Sequence, residues 1–376
     1  MSDDLITLAR EARTWLFDCA APLWSGAGLQ KNGMFAERFD AAGCPDDVPL
    51  RLRVQARQIY TYCELGRLGW RGPWRNVAKG ALDILLARGR RRDGFFVHTF
   101  TPDGQPLDTR ADLYDHAFTL FCLGHAADAL NRPDLLDDAA EIFALLESRW
   151  RHPRGGFLEG EIDGPPRRQN PHMHLLEAAI VLYRISGEKR WGNVIDELVT
   201  LCRQHFVDPA TGALTEYFAS DWTRLDSAEG LLVEPGHCFE WAWLFEALVE
   251  HGYRDTPLSD RLTKFARRYG LAASGCVAID SVSLNGEILN AEARLWPQAE
   301  RLKIALARWR RTGEEEEYKE AVVAFRGLNL YFATPIQGCW YDKRRLDGSF
   351  AEEPVRASSF YHIVCALSEL FRTANI

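Results

Sequence analysis

The segment GFFVHTF at residues 94–100 is one of six related stretches that decide the fold of this chain. Each stretch begins with glycine and continues with alternating apolar and polar residues. The six are GMFAERFD (33–40), GFFVHTF (94–100), GFLEGEID (156–163), GALTEYF (212–218), GCVAIDSV (275–282) and GCWYDKR (338–344). They recur about every 60 residues, which is typical of a repeated supersecondary unit. Residues at the same phase of each unit are therefore expected to occupy equivalent positions.

The length of 376 residues allows two ordinary domains or one large closed repeat. No unit of a repeat can bury its apolar face alone, so the regular spacing favours a single domain over residues 1–376. Hydrophobic residues make up 47% of the chain and charged residues 26%, which is the balance of a globular protein. The net charge of −8 argues against nucleic acid or an anionic membrane as a partner.

Signals for export and for disulfide formation are absent from the sequence. The first residues, MSDDLITLAREARTWLF, contain acids and no uninterrupted apolar run, so no secretory signal is expected. No apolar stretch approaches the roughly 18 residues that a bilayer requires. The nine cysteines are scattered without a CxxC pair, which fits reduced thiols better than disulfides or structural zinc. We therefore expect a cytoplasmic protein.

Each glycine stretch is predicted to form a short β-hairpin between two helices. Helical patterns with a polar face precede the hairpins at roughly 3–21, 75–90, 133–151, 189–206, 258–270 and 315–333. Helical patterns that are apolar around most of their circumference follow at roughly 50–69, 112–130, 171–186, 236–251, 297–311 and 355–373. A helix of the second kind is buried. The sequence therefore predicts an all-α fold, an (α/α)6 barrel of six inner and six outer helices. An open solenoid is the competing geometry, but it usually carries atypical polar caps that are not found here.

Polar and aromatic residues occur near the start of every predicted inner helix. The set comprises Arg57, Tyr114, Asn170, His174, His237, Glu240, Trp296, Gln298, Glu300 and His362. Its spacing follows the period of the hairpins. Because repeated helices run parallel, their N-termini share one rim of the barrel. The sequence therefore predicts a pocket at that rim.

Individual members of this set also have structural explanations. A lone histidine on an inner helix is more often a hydrogen-bonded core residue, but His174, His237 and His362 share one phase. His237 and Glu240 are three residues apart on one helical face, which fits either a local capping pair or a carboxylate that orients an imidazole. Arg57 lies at a buried phase among apolar residues and needs an anionic partner or ligand oxygens.

Common cofactor signatures are missing from the chain. It contains no phosphate-binding glycine loop, no dinucleotide fingerprint and no HExxH segment. The spacing of its histidines and acids does not demand a metal. We therefore expect neither a cofactor nor a metal.

Six segments together resemble the N-acylglucosamine 2-epimerase superfamily, which includes mannose isomerases, sulfosugar isomerases and cellobiose 2-epimerases. They are QARQIYTY (55–62), DLYDHAF (112–118), RQNPHMHLLEA (168–178), EPGHCFEWAWL (234–244), RLWPQAERLK (294–303) and ASSFYHIVCAL (357–367). The family fold is the (α/α)6 barrel, in agreement with the repeat. The last segment lacks the CPYHNGR-like stretch of cellobiose epimerases, and the chain looks closest to the monosaccharide isomerases.

The resemblance implies roles for individual residues. Two histidines of the family, in the EPGH-like and YH-like segments, are acid/base catalysts, and they match His237 and His362. Arg57 and Glu240 match further members of the catalytic set. The positions implied to bind substrate are Tyr114, Asn170, His174, Trp296 and Gln298.

The chemistry implied is proton transfer between C2 and C1 of a monosaccharide through an enediolate, which interconverts an aldose and a ketose of the mannose and fructose type. We expect His362 to move the C2 proton and His237, oriented by Glu240, to serve the sugar oxygens, although the two roles are interchangeable at this stage. The alternative within the same chemistry is 2-epimerisation of a free sugar or an N-acylglucosamine.

Two further alternatives come from other functional classes. A glycoside hydrolase on the same barrel would need two carboxylates across a cleft, with Asp112, Asp115, Glu240 and Glu300 as candidates. A non-enzymatic helical-repeat binding protein is the other, and the in-phase histidines count against it. The expected partner is a small monosaccharide, and a homodimer is the assembly considered.

Overall fold

Six helices that are buried on nearly every side form the inner layer of the computed structural model, which describes residues 3–162, 164, 166–250, 252 and 256–376. They are α3 (Leu52–Arg67), α5 (Leu113–Leu130), α7 (Asn170–Ser186), α9 (Pro235–Glu250), α11 (Leu295–Thr312) and α13 (Ser358–Ala374). These helices agree with the predicted apolar segments. Residues 163 and 251, which end the third glycine stretch and the fourth predicted inner helix, lie outside the described residues.

The outer layer consists of the helices that keep a polar face. They are α1 (Asp3–Thr14) with its continuation α2 (Ala21–Gly26), α4 (Trp74–Gly89), α6 (Asp134–Trp150), α8 (Lys189–Leu201), α10 (Thr256–Tyr269) and α12 (Glu315–Asn329). A π-helical segment, Trp15–Ala20, joins α1 to α2, and a second one, Cys202–Phe206, extends α8. Each outer helix packs on an inner helix, with α4 on α3 and α12 on α11 as examples.

The inner helices form a closed ring. Each of them packs against the next along the chain, and α13 packs in turn against α3. The strands also close the ring, because β1 (Arg38–Phe39) of the first unit pairs antiparallel with β11 (Val355–Arg356) of the last. The ring therefore joins the first unit to the last, which confirms the (α/α)6 barrel and excludes the open solenoid.

The hairpins differ from the prediction in how they pair. The remaining strands are β2 (Leu50–Arg51), β3 (Thr99–Phe100), β4 (Arg167–Arg168), β5 (Tyr217–Phe218), β6 (Leu232–Val233), β7 (Ser281–Ser283), β8 (Ile288–Asn290), β9 (Ala293–Arg294) and β10 (Lys343–Arg344). β7 and β8 form a hairpin of the predicted kind. The strand before an inner helix, however, pairs with the glycine stretch of the following unit, as β2 does with β3 and β9 does with β10. Backbone groups left free by one short strand are thus satisfied by its neighbour.

The repeat glycines have a backbone reason for their regular recurrence. All six have positive φ, for example 92° at Gly94 and 88° at Gly338, a region that residues with a Cβ rarely adopt. A methyl group at Gly338 would also lie 2.7 Å from the backbone of Cys19 on the first outer helix. The glycine stretch therefore marks the point at which the chain turns tightly from an outer helix towards the barrel mouth. Across the described residues, no helix combines the length and the apolarity that crossing a bilayer requires.

Candidate active site

A cavity of about 230 Å³ opens among the N-terminal turns of the inner helices. Its lining comprises Arg57, Tyr114, Asn170, His174, Glu234, His237, Glu240, Arg294, Trp296, Asp342, Arg356, Ser358, Ser359 and His362. Side chains from six inner helices therefore meet at one mouth. The cavity contains every residue of the predicted catalytic and substrate-binding sets except Gln298.

His237, on the first turn of α9, is held by a carboxylate from the preceding glycine stretch. Its Nδ1 lies 2.9 Å from Oε2 and 3.0 Å from Oε1 of Glu216, and 3.9 Å from a carboxylate oxygen of Glu234. Burial by itself lowers the pKa of this imidazole, but the negative charges of Glu216 and Glu234 outweigh that effect and raise the pKa to about 9. His237 is therefore cationic at neutral pH.

The other ring nitrogen of His237 contacts Asn170, the first residue of α7. The amide nitrogen of Asn170 lies 3.1 Å from Nε2, while its amide oxygen has no partner within the described part of the chain. A cationic imidazole donates from both nitrogens. We therefore assign the amide in the rotated orientation, in which Oδ1 accepts from Nε2–H, since the two amide positions are interchangeable.

His362, on the second turn of α13, has the opposite protonation state. Its Nδ1 lies 2.7 Å from Oε1 of Glu300, which comes from α11. Burial lowers the pKa of His362 to about 4, aided by the positive charges of Arg57 and Lys303 and opposed by Glu300. The imidazole is therefore neutral at pH 7, and its hydrogen bond to Glu300 leaves Nε2 as the atom with the free lone pair.

The indole of Trp296 lies beside both imidazoles. Its ring centroid is 4.8 Å from that of His237 and 5.6 Å from that of His362. A flat apolar surface next to an acid and a base suits a sugar ring, whose C–H groups pack on aromatic faces. The cavity thus presents a proton donor, a proton acceptor and a platform for one small molecule.

Arg57 and Tyr114 form the opposite wall. Arg57 donates from Nη2 to the hydroxyl of Tyr114 at 2.8 Å, and its guanidinium lies over the ring of Phe118, 4.1 Å from the centroid. Nε of Arg57 is buried and has no hydrogen-bond partner among the described residues. The anionic partner that the sequence demanded is therefore not supplied by a neighbouring carboxylate, which leaves the guanidinium available to ligand oxygens.

His174 belongs to a buried network behind this wall. Its Nδ1 lies 3.1 Å from Oε2 of Glu177, and Glu177 accepts a hydrogen bond from the hydroxyl of Tyr361 at 2.6 Å. Burial lowers the pKa of His174 to about 4, against the opposing charge of Glu177. His174 is therefore a neutral imidazole that lines the cavity, while Glu177, one turn deeper, does not.

Glu240 lines the cavity but does not orient His237, which corrects the prediction. Both nitrogens of His237 are engaged by Glu216 and Asn170, and neither oxygen of Glu240 has a hydrogen-bond partner within the described chain. Burial raises the pKa of Glu240 well above its usual value, and the charge of Glu300 raises it further. Both effects favour the protonated form of Glu240.

Gln298 is the predicted substrate-binding residue that the structure keeps away from the cavity. Its Oε1 accepts from the backbone N–H of Ala278 at 2.7 Å, and its Nε2 donates to the carbonyls of Ala278 and Arg294, both at 2.8 Å. Every hydrogen-bonding atom of the side chain is therefore used to fasten the fifth glycine stretch to α11. Gln298 has a structural role.

Glu216 is the main residue of the candidate site that the sequence interpretation missed. The sequence does mark it, because an acid recurs at a similar position in most of the glycine stretches. An acid occurs three to five residues after the glycine in five of the six stretches, and it contacts a basic residue at the start of an inner helix. The contacts are Glu37–Arg51, Glu159–Arg168, Glu216–His237, Asp280–Arg294 and Asp342–Arg356. We call this arrangement the acid clamp. In the fourth unit it grips an imidazole instead of a guanidinium, which is why His237 carries a positive charge.

Among the described residues, three sets of side chains have the donor types for a metal ion, each with ligand atoms within 4.8 Å of one another. They are His174, Glu177 and Glu240; Glu216, Glu234 and His237; and Glu240, Glu300 and His362. Nearby groups already balance part of this negative charge: the pKa of His237 is raised to about 9, burial raises the pKa of Glu240, and Nζ of Lys303 lies 2.7 Å from Glu300. That no metal or cofactor takes part stays a prediction.

Comparison with known proteins identifies the family. The N-acylglucosamine 2-epimerase (GlcNAc 2-epimerase) family matches residues 33–366. A mannose-6-phosphate isomerase of Rhizobium meliloti (strain 1021) is 36% identical over 98% of this chain and 98% of its own length. A D-mannose isomerase of Thermobifida fusca is 28% identical over 71% of this chain and 70% of its own. The cellobiose 2-epimerase from Spirochaeta thermophila DSM 6192 has the same fold, with a TM-score of 0.88, 24% identity and coverage of 99% of this chain and 97% of that one. This chain therefore belongs to the N-acylglucosamine 2-epimerase family and is an enzyme of the isomerase class.

Proposed function

We propose that this enzyme interconverts a free aldose and the corresponding ketose, of the mannose and fructose type. The observation that carries the proposal is the pair of imidazoles in one cavity with opposite protonation states, His362 neutral beside Glu300 and His237 cationic beside Glu216. Isomerisation requires this combination, because one group must accept a proton from carbon while another supplies one to oxygen.

The reaction begins at C2 of the open-chain aldose. Nε2 of His362 removes the C2 proton, the C–H electron pair forms the C1–C2 double bond, and the carbonyl pair moves onto O1. Nε2–H of His237 exchanges Asn170 for O1 and donates its proton there, and Nε2 then takes the proton of O2 as the C2 carbonyl forms. His362 returns its proton to C1, which completes the ketose with every proton accounted for. Both histidines end in their starting states.

Arg57 supports this sequence of steps by stabilising the charge on the enediolate oxygens. Its guanidinium lines the cavity and retains an unpartnered Nε within the described residues. A preorganised donor of this kind typically lowers the barrier by about 3 kcal/mol. Glu240 lines the same cavity, and the upward shift of its pKa by burial favours the protonated form, which can donate to a ligand oxygen.

The charges at the mouth favour an unphosphorylated sugar. The two arginines that line the cavity near its opening, Arg294 and Arg356, are each paired with carboxylates, Arg294 with Glu234 at 2.6 Å and Arg356 with Asp342 at 3.6 Å. Glu234 and Asp342 also line the cavity. A phosphate would meet committed arginines and two negative charges, so we infer that the substrate differs in this respect from the one in the name of the Rhizobium relative. A homodimer and a cytoplasmic location stay predictions from the sequence.

A 2-epimerase is the second candidate, because the cationic state of His237 also suits an acid that reprotonates carbon. An imidazolium on the other side of the sugar from His362 could return a proton to C2 from the opposite face and invert that carbon. The glycoside hydrolase has less support, because Glu240 alone among its four candidate carboxylates lines the cavity, and Asp115 is fully buried with Arg53 and His98 as partners.

The test is solvent exchange and product analysis with D-mannose in D2O, with the protein and with His362→Asn. We expect wild type to form fructose and to incorporate deuterium, and the variant to lose exchange at C2 by about 100-fold or more, as for removal of a general base. His205→Asn, on an outer helix, is the matched control. Exchange at C2 retained in His362→Asn would show that His362 is not the base. Glucose as the main product would favour the epimerase. Faster turnover of mannose 6-phosphate than of mannose would contradict the proposal of a free-sugar substrate.

A further inference from the structure

A lysine is buried in the barrel beneath the catalytic cavity. Lys303, on α11, is 0% exposed, and its Nζ lies 2.7 Å from Oε2 of Glu300, which is also 0% exposed. The ring of Trp243 covers the ammonium from another side, with the centroid 3.7 Å from Nζ. An ammonium withdrawn from water costs several kcal/mol unless it is paired, so a stability role alone is a weak explanation for it.

Glu300 connects this lysine to the proposed base. While Oε2 faces Lys303, Oε1 lies 2.7 Å from Nδ1 of His362. Lys303 itself is not among the described residues that line the cavity. Its influence on substrate therefore passes through Glu300 and through its electric field.

The surroundings explain why Glu300 needs a cation. An oxygen of Glu240, an oxygen of Glu300 and a ring nitrogen of His362 all lie within 4.8 Å of one another. Two carboxyl groups this close cannot both ionise without compensation. A protonated Glu300 would donate to Nδ1 and move the imidazole proton to Nε2, where the lone pair must face substrate. The positive charge of Lys303 lowers the pKa of Glu300, while burial and the charge of Glu300 raise the pKa of Glu240, so the two carboxyl groups shift in opposite directions.

We propose that Lys303 is a positioning residue for the reaction: through Glu300 it holds Nδ1–H of His362 in place and so fixes the tautomer that leaves Nε2 free for substrate. The inference rests on the proposed function, in which His362 is the base. It extends that function by one residue that touches neither substrate nor the reacting atoms.

The sign of the electrostatic effect follows from the charged and titratable groups around His362. Around His362 and the adjacent Tyr361 these are Arg57 and Tyr60 of α3, Tyr114 of α5, His174 and Glu177 of α7, His237 and Glu240 of α9, Glu300 and Lys303 of α11, Tyr361 and Cys365 of α13, and Asp342 before α13. Arg57 and Lys303 lower the pKa of His362, whereas Glu300 raises it. Removal of Lys303 takes away a cation, so the His362–Glu300 pair takes up a proton at higher pH, and Nε2 loses its lone pair whether the pair holds that proton as an imidazolium or on Glu300. The pKa observed at His362 then rises.

Trp243 provides an independent way to perturb Lys303. Its indole separates the ammonium from a second cavity of about 420 Å³ at the other end of the barrel, which Trp243, Tyr60 and Arg310 help to line. Trp243→Leu removes the ring that covers the cation and admits water from that cavity, which screens the charge. Trp243→Phe keeps an aromatic face and serves as its control.

The experiment compares wild type, Lys303→Met and the exposed-site control Lys319→Met, whose lysine is on outer helix α12. Two midpoints are measured for each folded protein: the acid limb of kcat/KM for the aldose, and the titration of His362 by NMR of ε1-¹³C-labelled histidine. We expect both midpoints to rise by about one pH unit or more in Lys303→Met, with a smaller rise in Trp243→Leu and none in Lys319→Met or Trp243→Phe.

The result that overturns the proposal is an unmoved or lowered His362 midpoint in Lys303→Met, whatever happens to turnover. If that variant does not fold, an unmoved midpoint in Trp243→Leu overturns it in the same way. A second outcome concerns the proposed function. If the acid limb of kcat/KM in wild type does not coincide with the NMR midpoint of His362, His362 is not the base. The link from Lys303 to His362 is then judged from the NMR midpoints alone.

Discussion

Replacement of Glu216 by glutamine tests the charge state of His237 most directly. Glu216 contacts Nδ1 at 2.9 Å and Glu234 lies farther away, at 3.9 Å, so Glu216 is the main support of the cation. The pKa of His237 is raised from 6.5 to about 9 against the lowering effect of burial. A difference of about 2.5 units corresponds to about 3 kcal/mol in favour of the protonated form.

Loss of the Glu216 charge lets burial dominate, and we expect the pKa of His237 to fall to about 7 or below. If the protonated form is required, the alkaline limb of kcat/KM moves from about 9 to about 7. At pH 8 this reduces kcat/KM about tenfold, because the protonated fraction falls from about nine tenths to about one tenth. The assay is the formation of ketose from aldose, followed from pH 5 to 10 at constant ionic strength.

The acid clamp supplies the matched control. Glu159→Gln removes the carboxylate at the same phase of another unit, where it grips Arg168. This change should lower stability and leave the alkaline limb in place. An unmoved limb in Glu216→Gln would refute the assignment of His237 as the acid. The linkage has a defined sign: since the folded-state pKa is raised, the contribution of His237 to stability is complete below about 6.5 and is lost as pH rises through about 9.

Two further substitutions separate catalytic from structural roles. In Arg57→Lys a point charge replaces a planar fork, so we expect kcat to fall by about 100-fold with an unchanged thermal midpoint; turnover near that of wild type would make Arg57 structural. In Gln298→Leu the backbone groups of Ala278 and Arg294 lose their partners, so we expect the free energy of unfolding to drop by about 3 kcal/mol in a denaturant titration, with KM unchanged. A raised KM at normal stability would instead return Gln298 to the substrate-binding set.

The fold could be predicted because its two determinants are local. Residues that are close together in the sequence determine both the tight turn at each repeat glycine and the apolar circumference of helices such as Leu113–Leu130. The pairing of the short strands could not be predicted in the same way. The partner of Arg38 is Arg356, at the far end of the chain, and that register exists only once the ring has closed.

For the candidate site, helical geometry separates the predicted residues that line the cavity from the one that does not. Trp296 and Glu300 are four residues apart and share the face of α11 that is turned to the histidines. Gln298 is two residues from each of them, so it points to the opposite side of the helix, although it shares the same rim. The position of a residue within the repeat thus predicts which end of the barrel it lies at. Its position around the helix decides whether its side chain lines the cavity.

The partners of the histidines depend on contacts between segments. The spacing of His237 and Glu240 favoured a local pair, but Glu216 reaches Nδ1 from a different element. The acid clamp was visible as a recurring acid, yet its function required knowing which helix start each stretch approaches. The opposite pKa shifts of His237 and His362 could not come from residue identity, because they depend on burial and on the charges nearby.

The pairing of Arg38 with Arg356 also has a consequence for biosynthesis. The nascent polypeptide leaves the ribosome from its N-terminal end, so the first five repeats can assemble only into an incomplete arc while α13 is still to be translated. That arc exposes a bare strand edge at Arg38–Phe39 and lacks His362 altogether. In the proposed mechanism, in which His362 is the base, turnover begins only when the last repeat docks on the first, and we expect a prematurely terminated product to be inert and to pair with another chain through its open ends.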